Sequence, residues 1–220
     1  MGGGGDVNVT DTTFSGNSAG VSGGAISMVS GQLTFTTNIP ITLDPSSGKN
    51  TGDNDIAGGS SVSFIKAGDA DLVLNTKNSG WMGPTTVNAG RMIVGDSAHT
   101  GASWGSAGVG DITVQQGATL GGFGTVNGNN ITFESESTWV AGIMPNGQNG
   151  QLNSSDTLTL RSGVSLAVTP SSGAYDGPDR MYKIATYRTL NKEGDMTVSV
   201  DSTAGLQGFS EVTLLMDPPI

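Results

Sequence analysis

One short motif in this 220-residue chain resembles a catalytic sequence. GASWG (101–105) fits the Gly-x-Ser-x-Gly pattern, which needs a strand before Ser103, a helix after it and a His later in the chain. The only His, His99, precedes Ser103, and a Gly-rich stretch follows it in place of a helical pattern. We therefore predict no catalytic residue and expect a protein that is not an enzyme.

Three acidic pairs have the spacing that brings two carboxylates to one side of a strand. They are Asp53 with Asp55, Asp69 with Asp71, and Glu134 with Glu136. Residues i and i+2 of a strand share a face, and paired carboxylates can bind calcium or support acid–base chemistry on sugars. A solvated outer face is the more ordinary interpretation, because the arginines that a sugar-cleaving groove would also need are scattered along the chain.

Two glycine-rich stretches, GDNDIAGG (52–59) and GDADL (68–72), are similar in composition to calcium-binding nonapeptide repeats. Those repeats need tandem copies with Asp two residues after Gly, whereas Asp here follows Gly at one and three residues. The chain has no Cys, which excludes disulfides and thiolate metal sites. We predict no metal site and no cofactor.

Three tryptophans offer aromatic faces on which a sugar ring could stack. Trp139 falls in a repeated apolar position, which predicts a place in the core. Trp81 and Trp104 fall in stretches that are typical of loops, so these two are our candidates for ligand contact.

The charge of the chain argues against nucleic acid as a partner. Its 9 Lys and Arg against 19 Asp and Glu give a net charge of −10, whereas nucleic-acid binding needs a basic face. No apolar run approaches the ~20 residues that span a bilayer. The opening MGGGG lacks the basic and apolar parts of a signal peptide, so we expect any export signal to lie outside this sequence.

The elements that would position these residues are strands, because four segments share one pattern of alternating apolar residues, a bend and further apolar residues. We call this shared pattern the frame. They are TTVNAGRMIV (85–94), ITVQQGATLG (112–121), ITFESESTWV (131–140) and LTLRSGVSLA (158–167). Each begins with alternating side chains that end at an apolar anchor: Val87, Val114, Phe133 and Leu160. Six residues after each anchor stands another apolar residue: Ile93, Leu120, Trp139 and Leu166. LTFTTNIPIT (33–42) fits the same frame, with Phe35 as anchor and Asn38 at the bend.

A bend follows each anchor, with Gly90, Gly117 and Gly163 in three of the four segments and Glu136 in the other. Gly or Asn there permits a positive φ. The anchors lie 27, 19 and 27 residues apart, in the range of repeat architectures. Stacked coils and an antiparallel meander both fit, but the long, uneven intervals favour coils, with 44–61, 95–110 and 144–156 as loops.

Residues 66–96 resemble the passenger-associated repeat of bacterial autotransporters. The matching positions are Leu72, Leu74, Gly83, Thr85, Thr86, Val87, Asn88, Gly90, Val94 and Gly95. Residues 111–128 resemble the continuation of that repeat, and FSGN (14–17) with GGAI (23–26) is similar to the paired motifs of polymorphic outer-membrane proteins, another autotransporter group. Trp81-Met82-Gly83 departs from the usual aromatic-Thr-Gly.

The resemblance implies a right-handed parallel β-helix with a C-terminal β cap, to which MYKIATYRTL (181–190) and FSEVTLLM (209–216) would belong. It divides the chain into coils 1–60, repeat-bearing coils 61–168 and an autochaperone end 169–220. It further implies a type V secreted virulence adhesin, at the bacterial cell surface or released, whose partners would be a translocator barrel outside this sequence, a host receptor or glycan, and further copies of itself. A β-helical carbohydrate-active enzyme is the alternative.

Overall fold

The computed structural model of the protein describes residues 5–46, 53–106, 110–175 and 180–200. Its regular structure in these ranges consists of strands. No helix of the described part has the length and apolar character needed to cross a membrane. The strands form three long sheets and one short sheet.

The largest sheet, sheet 1, runs along one side of the molecule. Its strands are, in spatial order, Val7–Thr10 (β1), Gly31–Thr36 (β3), Val62–Ala67 (β6), Thr85–Val87 (β9), Ile112–Val114 (β12), Ile131–Phe133 (β15), Thr157–Leu160 (β18) and Thr189–Lys192 (β21). Every neighbouring pair is parallel.

Two further sheets have the same arrangement. Sheet 2 contains Ile41–Leu43 (β4), Asp71–Leu74 (β7), Arg91–Val94 (β10), Thr119–Gly122 (β13), Thr138–Ile143 (β16), Ser165–Pro170 (β19) and Thr197–Val200 (β22). Sheet 3 contains Lys77–Asn78 (β8), Ser103–Trp104 (β11), Thr125–Gly128 (β14), Gln151–Ser154 (β17) and Ala185–Thr186 (β20). The short sheet pairs Ile26–Met28 (β2) with Ile56–Gly58 (β5), and Trp81 bridges to Gly58 beyond it.

Strands that are neighbours in a sheet belong to successive turns of the chain, so the fold is a parallel β-helix. We number its turns as coils, each beginning with a strand of sheet 1, from coil 1 at β1 to coil 8 at β21. Corresponding residues of successive coils lie from 19 positions apart (Ile112 to Ile131) to 33 (Leu152 to Ala185). The predicted stacking of coils is confirmed, and the antiparallel meander is excluded.

The predicted anchors stack in one inward column of sheet 1, which we call the anchor column. Its members are Val9, Phe35, Lys66, Val87, Val114, Phe133, Leu160 and Lys192. All four anchors of the aligned segments are at most 2% exposed. Alternate residues of a strand point to opposite faces, so this register buries one face of each of coils 2 to 7 against the coils on either side.

The predicted bends are confirmed at all four aligned positions. Gly90, Gly117 and Gly163 have φ values of 63°, 74° and 79°, and Glu136 adopts the same left-handed conformation at 61°. Asn38 behaves differently, because its φ is not positive and its backbone and side-chain amides donate to Asp11 of coil 1 at 2.7 and 3.0 Å.

Two further details of the aligned frame are wrong. Met92, not Ile93, is buried beside Leu120, while Ile93 faces outward. The bend of coil 4 holds three residues, 88–90, whereas that of coil 5 holds four, 115–118, so the frame slips by one position. The stretches predicted as loops, 44–61, 95–110 and 144–156, each contain a strand of the third side of the coil: β5, β11 and β17.

Gly83 has a packing role, because a Cβ there would lie 1.6 Å from the carbonyl oxygen of Val62, one turn earlier in the chain. At the other end, residues 181–190 include β20 and the start of β21, which continue the ladders of sheets 3 and 1. Residues 209–216, the other predicted cap segment, lie outside the described residues.

The left-handed Glu136 gives a direct test of the bend. Glu136→Gly should raise the free energy of unfolding by about 0.5–1 kcal/mol, because a side chain is unfavourable at this φ and the Gln116–Glu136 hydrogen bond is exposed. Gly117→Ala is the matched control, since nothing lies within 4 Å of its Cβ position, and it should lower stability by a similar amount. Urea unfolding measures both, and a loss of stability in Glu136→Gly would contradict the argument.

Candidate functional site

The two tryptophans predicted to contact a ligand are buried in the core. Trp81 is 1% exposed and Trp104 is 0% exposed. Their rings stack at a centroid distance of 5.3 Å, and Phe64 packs against them at 5.6 and 4.6 Å. Because these ring faces are already occupied, the prediction of sugar stacking on Trp81 and Trp104 is wrong. Trp139, predicted to lie in the core, is 4% exposed.

Both indole N–H groups have partners inside the coil. The Nε1 of Trp81 donates to the carbonyl of Gly83 at 2.9 Å, and that of Trp104 donates to Oγ1 of Thr85 at 3.0 Å. Gly58 makes room for the Trp81 ring, since a Cβ at this position would lie 2.4 Å from it. The error arose because the two-residue strand that carries Trp104 is too short to show an alternating pattern.

The Asp53–Asp55 pair binds groups of the first two coils, with Asp55 binding coil 1 and Asp53 binding coil 2. Asp55 is 2% exposed, and its carboxylate accepts the backbone N–H groups of Gly23 at 2.9 Å and Gly24 at 2.7 Å. Asp53 accepts the backbone N–H and the hydroxyl of Ser46, each at 2.9 Å. The interpretation as a solvated face is therefore wrong for this pair, which binds groups of the protein itself.

Asn54, between these two carboxylates, completes the contact with the FSGN motif. It is fully buried, and its side-chain amide donates to the carbonyls of Phe14 at 2.8 Å and Asp44 at 3.0 Å. Asn17 donates in turn to the Oδ1 of Asn54 at 3.0 Å. FSGN and GGAI thus supply the groups that bind Asn54 and Asp55 of the next coil, which gives both motifs a structural role.

The other acidic pairs lie at the surface, as the ordinary interpretation predicts. Asp71 lies 3.5 Å from Arg91, Glu134 lies 3.8 Å from Arg161, and Arg161 also contacts Glu193. Exposed ion pairs of this kind contribute about 1 kcal/mol or less each. Among the described residues, no group of three or more His, Asp or Glu side chains could hold a metal ion.

Ser103 lies in β11, and no helix follows it in the described residues, so a nucleophile elbow is not formed there. His99 contacts an acidic residue and not Ser103: its Nδ1 lies 2.7 Å from the Oδ1 of Asp96. Burial tends to raise the pKa of Asp96, but hydrogen bonds from His99 and the Ala98 amide outweigh it and hold the pKa below its ordinary value.

Lys66 is a fully buried cation in the anchor column, which sequence reasoning missed. Its Nζ donates to the carbonyls of Ala67 at 3.0 Å, Gly68 at 2.6 Å and Ala89 at 2.9 Å. Burial lowers its pKa to about 8, although Asp71 and Asp69 act in the opposite direction. The spacing of the aligned segments was the only sequence feature that could have indicated this burial. Lys66 stands six residues before the buried Leu72, which is the position of an apolar anchor in those segments.

The outward side of sheet 1 carries a column of threonines, which we call the threonine column. Thr86, Thr113, Thr132 and Thr159 occupy corresponding positions of four successive coils, and all four are half-buried. Strands in a sheet lie about 4.8 Å apart, so these methyl and hydroxyl groups form a regular row.

Sheet 3 carries an outward ladder of amides that bind one another. Asn153 donates to Asn127 at 3.2 Å, Thr186 donates to Asn153 at 2.8 Å, and Asn127 donates to the carbonyl of Gly105 at 3.2 Å. Each of these contacts links one coil to the next, so this ladder stabilises the stack.

Comparisons with protein-family models, with curated proteins and with solved structures found no match.

The burial of Trp104 gives a testable consequence at Thr85. Thr85→Val should keep the shape of the inward column but remove the acceptor of the Trp104 N–H, which costs about 1–3 kcal/mol for a buried unsatisfied donor. Thr86→Val, one residue along on the outward face, is the control and should change stability by less than about 0.5 kcal/mol. Urea unfolding followed by tryptophan fluorescence measures both, and equal effects would contradict the assigned bond.

Proposed function

We propose that this chain is a stalk and autochaperone segment of an autotransporter passenger, held at the outer side of a bacterial outer membrane or released from it. The observation that carries the proposal is the in-register stack of the eight described coils, in which the inner coils bury their apolar side against their neighbours. The resemblance of residues 66–128 to the passenger-associated repeat supports the same conclusion.

This architecture suits a chain that crosses an outer membrane unfolded and folds as it emerges. Each coil needs only its neighbour as a template, because contacts in a solenoid are between adjacent repeats. A translocator barrel outside this sequence would be the export partner, and the C-terminal coils would emerge first and begin the stack. The absence of Cys fits this route, since no disulfide could form before export.

We assign the adhesive or self-associating role to the threonine column. Its regular row of hydroxyl and methyl groups can meet a copy of itself, a host receptor or a glycan through many weak contacts. The carbohydrate-active alternative receives no support from Asp55, Asp71 and Glu134, each of which is bonded to neighbouring groups of the protein.

The autochaperone role predicts that the C-terminal coils fold first. Leu160→Ala in coil 7 and Leu33→Ala in coil 2 delete the same side chain from buried positions of sheet 1, and each should cost about 2–5 kcal/mol. If folding begins at the C-terminal end, Leu160→Ala should mainly slow refolding, whereas Leu33→Ala should mainly speed unfolding.

Stopped-flow refolding and unfolding of the full chain measure both rates. A refolding rate that falls more in Leu33→Ala than in Leu160→Ala would overturn the autochaperone role. Equal effects on refolding would also overturn it, because they would show no directional template.

The self-associating role predicts a dependence on one face. Thr113→Lys with Thr132→Lys should weaken self-association measured by sedimentation velocity, because it places two charges in the threonine column. Thr119→Lys with Thr138→Lys is the control, since these residues are neighbours on the outward side of sheet 2 in the same two coils. Each double variant changes the net charge from −10 to −8, so a loss confined to the first identifies the face; equal responses, or no association of the unmodified protein, would contradict the role.

A further inference from the structure

Three Asn-Gly steps occur in the sequence, at 127–128, 146–147 and 149–150. Such a step can lose the side-chain amide without an enzyme. The deprotonated backbone nitrogen of Gly attacks the Cγ of Asn, a five-membered succinimide ring closes, and the amide nitrogen leaves as ammonia. Water then opens the ring to give Asp or isoaspartate. Glycine favours the attack because it has no Cβ to hinder the necessary rotation of the backbone.

The step at 146–147 lies at the tip of a small hairpin, residues 142–150, which joins β16 to β17. Within this hairpin the N–H of Met144 donates to the carbonyl of Gln148 at 2.9 Å. Asn146, Gly147 and Gln148 are all exposed. The reacting atoms of this step are therefore in contact with water.

The segment that follows β19 holds the base of the hairpin. The hydroxyl of Tyr175 donates to the carbonyl of Ile143 at 2.9 Å, and that of Tyr182 donates to the carbonyl of Met144 at 2.7 Å. The side-chain amide of Asn149 donates to the carbonyl of Lys183 at 3.0 Å. These contacts fix the residues on either side of the tip, so a rotation of the backbone at the tip need not unfold the coil.

The hydrogen bonds that such a rotation would disturb are at the surface. The N–H of Gly147 donates to the carbonyl of Met144 at 3.0 Å. The side-chain amide of Asn146 donates to the Oε1 of Gln148 at 2.8 Å, and its Oδ1 accepts the Gln148 N–H at 3.0 Å. Water can replace these partners while the Gly147 nitrogen turns toward the Asn146 Cγ, so the cost of opening is small.

The other two Asn-Gly steps are built into the stack. Gly128 is buried in β14, where it pairs with Ser154 of the next coil. Gly150 is also buried, its N–H donates to the carbonyl of Gly142 at 2.8 Å, and a Cβ at its position would lie 1.9 Å from the carbonyl oxygen of Gly122. Rotation at either step would separate packed coils, so the fold protects both.

We propose that Asn146 is a site of spontaneous deamidation. The Gly147 nitrogen bonds to the Asn146 Cγ, the bond from that carbon to the side-chain nitrogen breaks with release of ammonia, and water opens the ring to Asp or isoaspartate. The Cβ position of Gly147 lies 3.9 Å from the Nη1 of Arg180, so the new carboxylate forms near a cation. This inference does not rest on the proposed function, because it concerns the chemistry of one exposed turn.

Mass spectrometry of the full chain, incubated at mildly alkaline pH, measures the rate at each step. Cleavage at Glu134 and Glu136 separates Asn127 from the other two asparagines, and fragment ions distinguish Asn146 from Asn149. Asn146 should deamidate at least about tenfold faster than either, because reaction at a protected site requires local unfolding. Equal rates, or a faster reaction at Asn127 or Asn149, would overturn the proposal.

The same incubation in urea shows whether the fold makes the selection. In the unfolded chain all three steps should react at rates within about threefold of one another, because each has the same flexible dipeptide. A preference for Asn146 as large as in the folded protein would show that the local sequence selects it, which contradicts the structural argument.

Charge separation provides a second readout, because each deamidation changes the net charge from −10 to −11. Asn146→Asp should migrate with the acidic species that forms on incubation. Asn146→Gln should remove that species, since a Gln side chain would have to close a less favourable six-membered ring. Asn149→Gln, the same change at the base of the hairpin, is the matched control and should leave it in place. An acidic species that persists in Asn146→Gln, or disappears in Asn149→Gln, would contradict the assignment.

Discussion

The structure depends on keeping the inward columns in register from coil to coil. The strands are two to six residues long, too short to form a stable sheet within one turn of the chain. Because side chains alternate with a period of two, a slip of one residue would turn an apolar column to solvent. The column that runs from Val7 through Leu33 and Phe64, and the anchor column beside it, therefore fix the positions of the other residues of each strand, including those on the outward face.

Close backbone contacts make this register specific. A Cβ at Gly83, Gly121 or Gly150 would lie 1.6 to 1.9 Å from a carbonyl oxygen about one turn of the chain away. These positions admit only glycine without a shift of the backbone, so part of the high glycine content is used where coils approach each other. The rest of the register comes from side chains that bind across coils, such as Asp55 with Gly23 and Gly24.

The sequence predicted the fold where strands are long enough to show their period. The segments at Val87, Val114, Phe133 and Leu160 yielded the column, the bends and the parallel order. The third side of the coil was missed because β8 and β11 have two residues each, and the four-residue β17 has only one apolar residue, Leu152. Alternation cannot be recognised in such strands. The tryptophan assignment failed for the same reason, since Trp104 was placed in a loop when it belongs to β11.

The positions of buried polar residues could not be predicted from the sequence pattern either. Asn78 is fully buried, and its side chain accepts from the Ile56 amide at 2.8 Å and donates to the carbonyl of Ser103 at 3.1 Å. It therefore connects the short sheet to sheet 3 where the third side of the coil changes from one to the other. Such residues bind backbone groups that come together only in the assembled stack, so their role cannot be recognised from the sequence pattern.

The inward and outward side chains of this protein vary independently of each other. The core of the N-terminal half is a pile of aromatic rings that runs from Phe14 through Phe35 and Phe64 to the tryptophans. Further along, the anchor column contains Val114, Phe133 and Leu160, yet the threonine column outside it continues unchanged. Inward packing can vary while the outward row is kept, because the two sets occupy alternate positions of the same strands. Since a fold alone does not define an activity, the inward columns explain the stack, whereas the function proposed above rests on the outward row.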